Sequence, residues 1–242
     1  MLLNAETALS TSKVLLVPYS TWHVPRYHEW MKDEEIQEAT ASEPLSIEEE
    51  YAMQRSWRQD ADKLTFIACR PVTTDSSTNL NPENDSASNM IGDINLFLRV
   101  DDGDDGDAPP EIIGEIELMI AEKANQRRGF GKAALLAFMR YITERQGAIL
   151  EEFVSGLDET MKAKVRAREE LRFECLSVKI GQTNEKSLKL FEGLRFVKVS
   201  EEPTFFGEFE LRRADLGMEG VELDMRQAGV EGYREVAYKR KE

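Results

Sequence analysis

Cysteine is nearly missing from this chain: Cys69 and Cys175 are the two among 242 residues. Two cysteines allow neither a disulfide framework nor a cysteine metal cluster, so no metal is expected, and they suit a reducing compartment. Histidine is as scarce, with His23 and His28 alone. Lacking a third partner nearby they make a poor metal or catalytic pair, and a place on a helix surface is expected for both. No apolar run approaches the roughly 18 residues that a spanning helix needs, so no membrane segment is expected. Met1 to Lys13 lacks the basic and apolar pattern of a signal peptide. Positive charge is short as well: 31 Lys and Arg stand against 46 Asp and Glu, a net charge of −15. That balance argues against nucleic acid as a partner, which needs a basic footprint. Its ordinary consequence is solubility. A cytoplasmic location, or a nuclear one, is the expectation.

What is present centres on the stretch from Glu115 to Leu136. Ile116, Leu118 and Ile120 alternate with Glu115, Glu117, Met119 and Ala121, the pattern of a half-buried strand. From Gly131 onward Ala134, Leu135, Phe138, Met139 and Ile142 recur at helical spacing. Between strand and helix lie Gln126, Arg127, Arg128, Gly129, Phe130, Gly131 and Lys132. Glycine lets a backbone pass close to a ligand, a helix start offers unpaired N–H groups and a positive dipole end, and the two arginines add full charge. Such a turn suits a phosphate or pyrophosphate; the plainer alternative is a charged loop that binds nothing. Gly129 to Ala134 also fits a loose dinucleotide pattern, with Glu151 about 20 residues on. The seven residues Glu122 to Arg128 make that turn too long. A Walker-type loop fails, because Gln126 and Ala133 stand where its first glycine and its Ser or Thr belong.

Around this centre, strands are expected at Val14 to Tyr19, Leu64 to Cys69, Met90 to Leu98 and Leu176 to Ile180, then at Phe196 to Ser200 and Phe205 to Leu211. Thr21 is expected to cap a helix with Pro25 in its first turn, and Ser46-Ile47-Glu48-Glu49 is a capping box opening a helix to about Trp57. Residues 71–89 are rich in Ser, Thr, Asn and Asp and read as a flexible loop. Residues 101–110 form an acidic loop; its Asp and Gly run superficially resembles a calcium loop but lacks the closing Glu and flanking helices. Residues 144–173 read as a helical insert with Leu150, Val154, Leu157, Met161 and Val165 as its apolar stripe, and as a possible partner-binding helix. Residues 214–242 form a charged tail with no assigned role. The expectation is one domain over 1–213.

Gln126-x-x-Gly129-x-Gly131, after a strand and opening a helix, resembles the acetyl-CoA pyrophosphate loop of the GNAT superfamily of N-acetyltransferases. Asn184-Glu185-Lys186-Ser187, followed by Leu188 to Phe196, resembles that superfamily's second ligand helix. Two positions depart from its pattern: Phe191 stands where many members carry the Tyr that protonates the departing thiolate, and Arg195 replaces a turn glycine. Plain readings stay open here, with Asn184 a helix cap and Leu188, Phe191 and Leu194 core. Further runs, including Val17-Pro18-Tyr19, His23 to Lys32, Gly92 to Leu98, Gly114 to Glu122 and Lys179 to Asn184, resemble the eukaryotic N-acetyltransferase 9-like proteins.

The resemblance implies an α/β (α+β) fold with a mixed, mostly antiparallel central sheet flanked by helices. It implies transfer of acetyl from acetyl-CoA to an amine on a protein or peptide, with tubulin brought forward as a candidate acceptor. The first helices would wall the acceptor pocket, making Tyr27, Trp30, Tyr51 and Trp57 pocket candidates, with ordinary core as the alternative. An amine must lose a proton before it attacks. Glu115, eleven residues before Gln126, and Glu117 are the candidate bases; a pair of solvent-facing strand residues is the alternative. Main-chain N–H groups along Met119, Ile120 and Ala121 would polarise the thioester and pair with pantetheine. Gln126 to Lys132 would hold the pyrophosphate, Asn184 and Ser187 would touch the cofactor, and Ser187 would contact or protonate the thiolate. A non-catalytic CoA-binding module is the rival, favoured by Phe191 and Arg195, and a nicotinamide enzyme comes third.

Overall fold

Among the described residues, alternating apolar side chains build a nine-stranded sheet with a separate core on each face. The computed structural model describes residues 1–72, 80–102 and 110–240. In chain order the elements are β1 (Thr7–Ser10), β2 (Leu15–Pro18), α1 (Val24–Trp30), α2 (Glu34–Ala39), α3 (Ile47–Gln59), β3 (Lys63–Cys69), β4 (Met90–Asp101) and β5 (Glu111–Ile120). There follow α4 (Phe130–Gly156), α5 (Glu159–Arg166), β6 (Phe173–Gly181), α6 (Glu185–Glu192), β7 (Val197–Lys198), β8 (Glu208–Arg213), α7 (Met218–Gln227) and β9 (Arg234–Ala237). The sheet order is β7-β8-β6-β5-β4-β3-β2-β1-β9. The β5–β6 pair is parallel and the other pairs are antiparallel.

Ile94, Leu96 and Leu98 of β4 and Ile112 and Ile116 of β5 point to one face, where Phe138, Tyr141 and Ile142 of α4 and Leu188 and Phe191 of α6 close the larger core. Val17, Ile67, Met119 and Ala121 line the opposite face under Val24, Tyr27 and Trp30. The capping box forms as the sequence predicts: Glu49 N–H donates to Ser46 Oγ at 3.3 Å and Ser46 N–H donates to Glu49 Oε2 at 2.8 Å. Pro25 lies in the first turn of α1, while Thr21 belongs to a 3-10 turn, Thr21–His23, that precedes it.

The structure corrects four expectations. The insert has no separate start: α4 runs unbroken for 27 residues to Gly156, and Asp158 then caps α5 through Met161 N–H. Residues after Arg213 are not peripheral. Val221, Met225 and Val230 join the larger core, and β9 pairs with β1 and ends the sheet. The β8 strand starts at Glu208, so Phe205 and Phe206 lie in the preceding turn and are 98% and 83% exposed. His23 is buried, not on a helix surface.

Two polar knots account for the buried His23 and for the packed tail. His23 Nδ1 accepts the Ser20 N–H at 3.0 Å, which leaves its other nitrogen, Nε2, 3.3 Å from Asp85 Oδ2. Asp85 also accepts from Trp22 Nε1 at 2.9 Å, Arg240 at 2.8 Å and the Tyr238 hydroxyl. Burial pushes the Asp85 carboxyl up, but the bonds from His23, Tyr238 and Trp22 outweigh it and hold it at about 2. Asp85 therefore anchors the segment 80–89 between the turn that precedes α1 and the residues that follow β9; 73–79, like 103–109 of the acidic loop, lie outside the described residues. In the second knot Arg195 takes a left-handed φ of 64°, the conformation that explains why a glycine can stand there. Its guanidinium donates to Asp224 at 2.6 Å and to Gly220 O at 3.0 Å, and buried Arg213 shares Asp224 at 2.9 Å.

Candidate functional site

The parallel ladder between β5 and β6 ends at Glu115–Ser177. Beyond it β5 runs on to Ile120 beside β4, and β6 runs on to Gly181 beside β8. The two strands thus part, each still fully paired on its outer side, and the main-chain groups on the inner side are left facing a gap. Which residues those are follows from register. Ala121 N–H donates to Ile91 O at 3.0 Å, and in an antiparallel pair hydrogen-bonded residues alternate. Met119 and Glu117 therefore spend their main-chain groups on β4, whereas Leu118 and Ile120 turn theirs into the gap. The close fit of Met119 O against β4 agrees: a Cβ on Gly92 would lie 1.8 Å from it. Of the three N–H groups expected to serve a ligand, only that of Ile120 faces the gap; those of Met119 and Ala121 do not, and Leu118 is the residue the sequence reading missed.

At the mouth of the gap sits the glycine turn. Gln126 Nε2 donates to Ile120 O at 3.0 Å and ties the turn to the end of β5. Arg127 and Gly129 both take left-handed backbone, φ 59° and 84°; for a non-glycine residue this costs about 1–2 kcal/mol and is the kind of strain found in ligand-binding loops. Gly129 precedes α4, whose first N–H groups have no partner within the helix. Arg127 and Arg128 are exposed and form no ion pair among the described residues. An ideal Cβ on Gly131 would lie 3.6–3.9 Å from Ile120, Leu118 and Leu190 side chains, so the first turn of α4 packs between β5 and α6. The start of α6 is therefore brought to the same place. There Asn184 Oδ1 accepts the Ser187 N–H at 3.1 Å, which makes Asn184 a helix cap, and Ser187 is half-buried. Phe191 is core, edge-to-face with Phe196 at 5.1 Å.

On the opposite face of the sheet, alternation aligns Glu115, Glu117 and Met119 with Phe97, Asn95 and Asp93 of β4. The two glutamates differ in surroundings. Glu115 Oε2 accepts from Lys179 Nζ at 2.9 Å, a bridge from β5 to β6 just where they part. Glu117 has no ion-pair partner among the described residues. Its side chain is open to the cleft, yet protein surrounds it on the other sides. That burial, then the charges of Asp93 and Glu115, raise its carboxyl to about 7. Tyr27 and Trp30 of α1 are buried over this face, while Tyr51 and Trp57 of α3 are half-buried against it. Asp93, which accepts from the Tyr27 hydroxyl, is the residue the sequence reading left without a role. The signal was there: Asp93 and Asn95 alternate with Ile94, Leu96 and Leu98 in the otherwise apolar run from Met90 to Leu98. Among the described residues no group of three His, Cys, Asp or Glu is arranged to hold a metal ion, and no helix is long and apolar enough to cross a membrane.

The family described as acetyltransferase (GNAT) domain matches residues 13–197. The human α/β-tubulin-N-acetyltransferase 9 is 41% identical over 206 residues, covering 85% of this chain and 82% of its own. An N-acetyltransferase 9-like protein of Schizosaccharomyces pombe is 36% identical and covers 88% of this chain and 99% of its own. Among solved structures, spermidine N-acetyltransferase from Vibrio cholerae, in complex with CoA and spermine, superposes with a TM-score of 0.52 at 14% identity, covering 83% of this chain and 94% of that one; it shares the fold. By family model, relatives and architecture, the chain belongs to the GNAT acetyltransferases, in their N-acetyltransferase 9-like group, and is an acetyl-CoA-dependent N-acyltransferase.

Proposed function

We propose that the acceptor is a protein amino group and that Glu117 takes its proton. The observation that carries this is the contrast on β5: Glu115 is bound to Lys179, and Glu117 is an unpaired carboxyl raised to about 7, beside the gap. A base with that proton affinity works at neutral pH. The N–H bond of the ammonium breaks, an O–H bond forms on Glu117, and the freed nitrogen lone pair attacks the acetyl carbon. Acetyl-CoA supplies the activated acyl group, so no covalent enzyme adduct is needed once amine and thioester are held together. Main-chain groups of Leu118 and Ile120 would polarise its carbonyl and pair with its pantetheine arm. The turn from Gln126 to Lys132, with the start of α4, would hold its pyrophosphate, and Ser187 is the candidate donor to the leaving thiolate. Both departures that favoured a non-catalytic module have structural explanations, Phe191 in the core and Arg195 in a knot. Tubulin is the acceptor to try first, since the human relative is named for it. Two buried free cysteines suit a cytoplasmic setting.

Thermal unfolding with acetyl-CoA and turnover by Glu117→Gln test this reading. A ligand at 100 times its Kd adds about 2.7 kcal/mol, which is several degrees for a domain of this size, and Gly129→Glu should abolish the shift. Glu117→Gln should lower kcat roughly 100-fold or more with acetyl-CoA binding kept. An unchanged kcat would remove Glu117 as the base; no thermal shift would remove the cofactor site.

A further inference from the structure

A second carboxyl stands beside Glu117, deeper and without a task so far. Asp93 is 2% exposed. Its Oδ2 accepts from Asn95 Nδ2 at 2.9 Å and from the Tyr27 hydroxyl at 3.2 Å. Both donors are neutral, and among the described residues no cation pairs with it. A buried charge without a counter-ion normally costs stability, so its place needs a reason. Register supplies the geometry. Asp93 is opposite Met119 and Asn95 is opposite Glu117, which makes Asp93 and Glu117 diagonal neighbours on one face, roughly 7 Å apart. Asn95 stands between them, its Nδ2 on Asp93 and its buried Oδ1 unpartnered.

We infer that Asp93 is a positioning residue for acetyl transfer: held by Tyr27 and Asn95 on the face that carries Glu117, it places a buried like charge one diagonal step from the base. The inference rests on the reading of Glu117 as the base. The charged groups around Glu117 are Asp93 of β4, Glu115 of β5, Lys179 of β6 and Glu208 of β8. Lys179 is taken up by Glu115, so the remaining field at Glu117 is negative. Burial pushes Asp93 itself up, and its bonds to Asn95 and Tyr27 hold it back, to about 6. A charge on Asp93 disfavours a second one on Glu117 and so helps to keep the proton there to higher pH. The two groups titrate as a pair. Burial supplies the larger part of the rise at Glu117 and Asp93 adds to it; without both, a glutamate near 4.3 would be too weak a base for a neutral-pH reaction.

Carboxyl-labelled NMR titration of the full chain, alongside the pH profile of kcat/KM, tests this in Asp93→Asn and Tyr27→Phe. Asp93→Asn should lower the Glu117 midpoint by roughly one pH unit, the effect of a like charge at such a distance between protein and water. The acid limb of kcat/KM should move the same way, with KM for acetyl-CoA unchanged. Tyr27→Phe removes one bond to the Asp93 anion, so the Asp93 midpoint should rise and that of Glu117 fall; this variant answers the question if Asp93→Asn does not fold. A Glu117 midpoint that stays in place in both variants overturns the inference, and so does a lower kcat with an unmoved acid limb. Absence of turnover in the wild-type protein would instead strike at the functional reading, and the NMR midpoints would still decide the role of Asp93.

Discussion

Replacing Asp85 by Asn should destabilise the protein by about 3 kcal/mol, most of it in a way that acid removes. The magnitude follows from the bonds around that carboxylate. His23, Tyr238, Trp22 and Arg240 all donate to it, and it is held at about 2 against an ordinary 3.8. The difference, 3.8 − 2 = 1.8 units, corresponds to about 2 kcal/mol of stability at neutral pH. Its sign is that of a depressed carboxylate: the contribution is complete above the unfolded value and fades as pH falls toward the folded one. Leaving a buried His23 or Tyr238 donor poorly matched against an amide adds about 1 kcal/mol. Urea unfolding of both proteins from pH 7 to pH 2.5 is the assay. Between pH 7 and 5 the gap between wild type and variant should be constant; below about 4 it should shrink. A gap under about 0.5 kcal/mol at pH 7, or one that does not narrow in acid, would refute the electrostatic account of this knot.

Gly92→Ala should cost about 3 kcal/mol, because its Cβ would lie 1.8 Å from Met119 O and β4 cannot stay paired at that point; a Tm within a degree of wild type would contradict the register given for the site. Arg195→Gly should stay within about 1 kcal/mol of wild type, since relief of the left-handed backbone offsets the lost bonds to Asp224 and Gly220. Arg195→Ala loses the bonds and keeps the strain, so it should be about 1 kcal/mol less stable than the glycine variant; equal unfolding midpoints for the two would show that the strain is not there.

Much of the site was legible because it is local. The alternation of residues 115–121, the glycines before α4 and the Asn184 cap are properties of short segments, and each segment forms as its sequence predicts. What escaped depends on residues far apart in the chain. His23 is buried because Asp85, 62 residues on, meets it, and nothing near either residue says so. The tail looked featureless because its charge hides the spacing of Val221 and Met225, and because Asp224 has meaning only beside Arg195 and Arg213. The main-chain donors were assigned one residue out of step. Side-chain alternation tells which residues share a face, but which edge a main-chain N–H serves depends on the neighbouring strand, and here β4 claims Met119 and Ala121.

That same two-residue rhythm separates two inheritances along β5. A main-chain N–H does not change when a side chain does, so what Leu118 and Ile120 offer to the gap survives almost any substitution there that still packs against α4. Glu115, Glu117 and Met119 point their side chains to the other face, where a change alters the surface of the sheet without touching those amides. Descendants of such a strand can therefore vary side chains at odd-numbered positions and leave the main-chain groups that face the gap as they were.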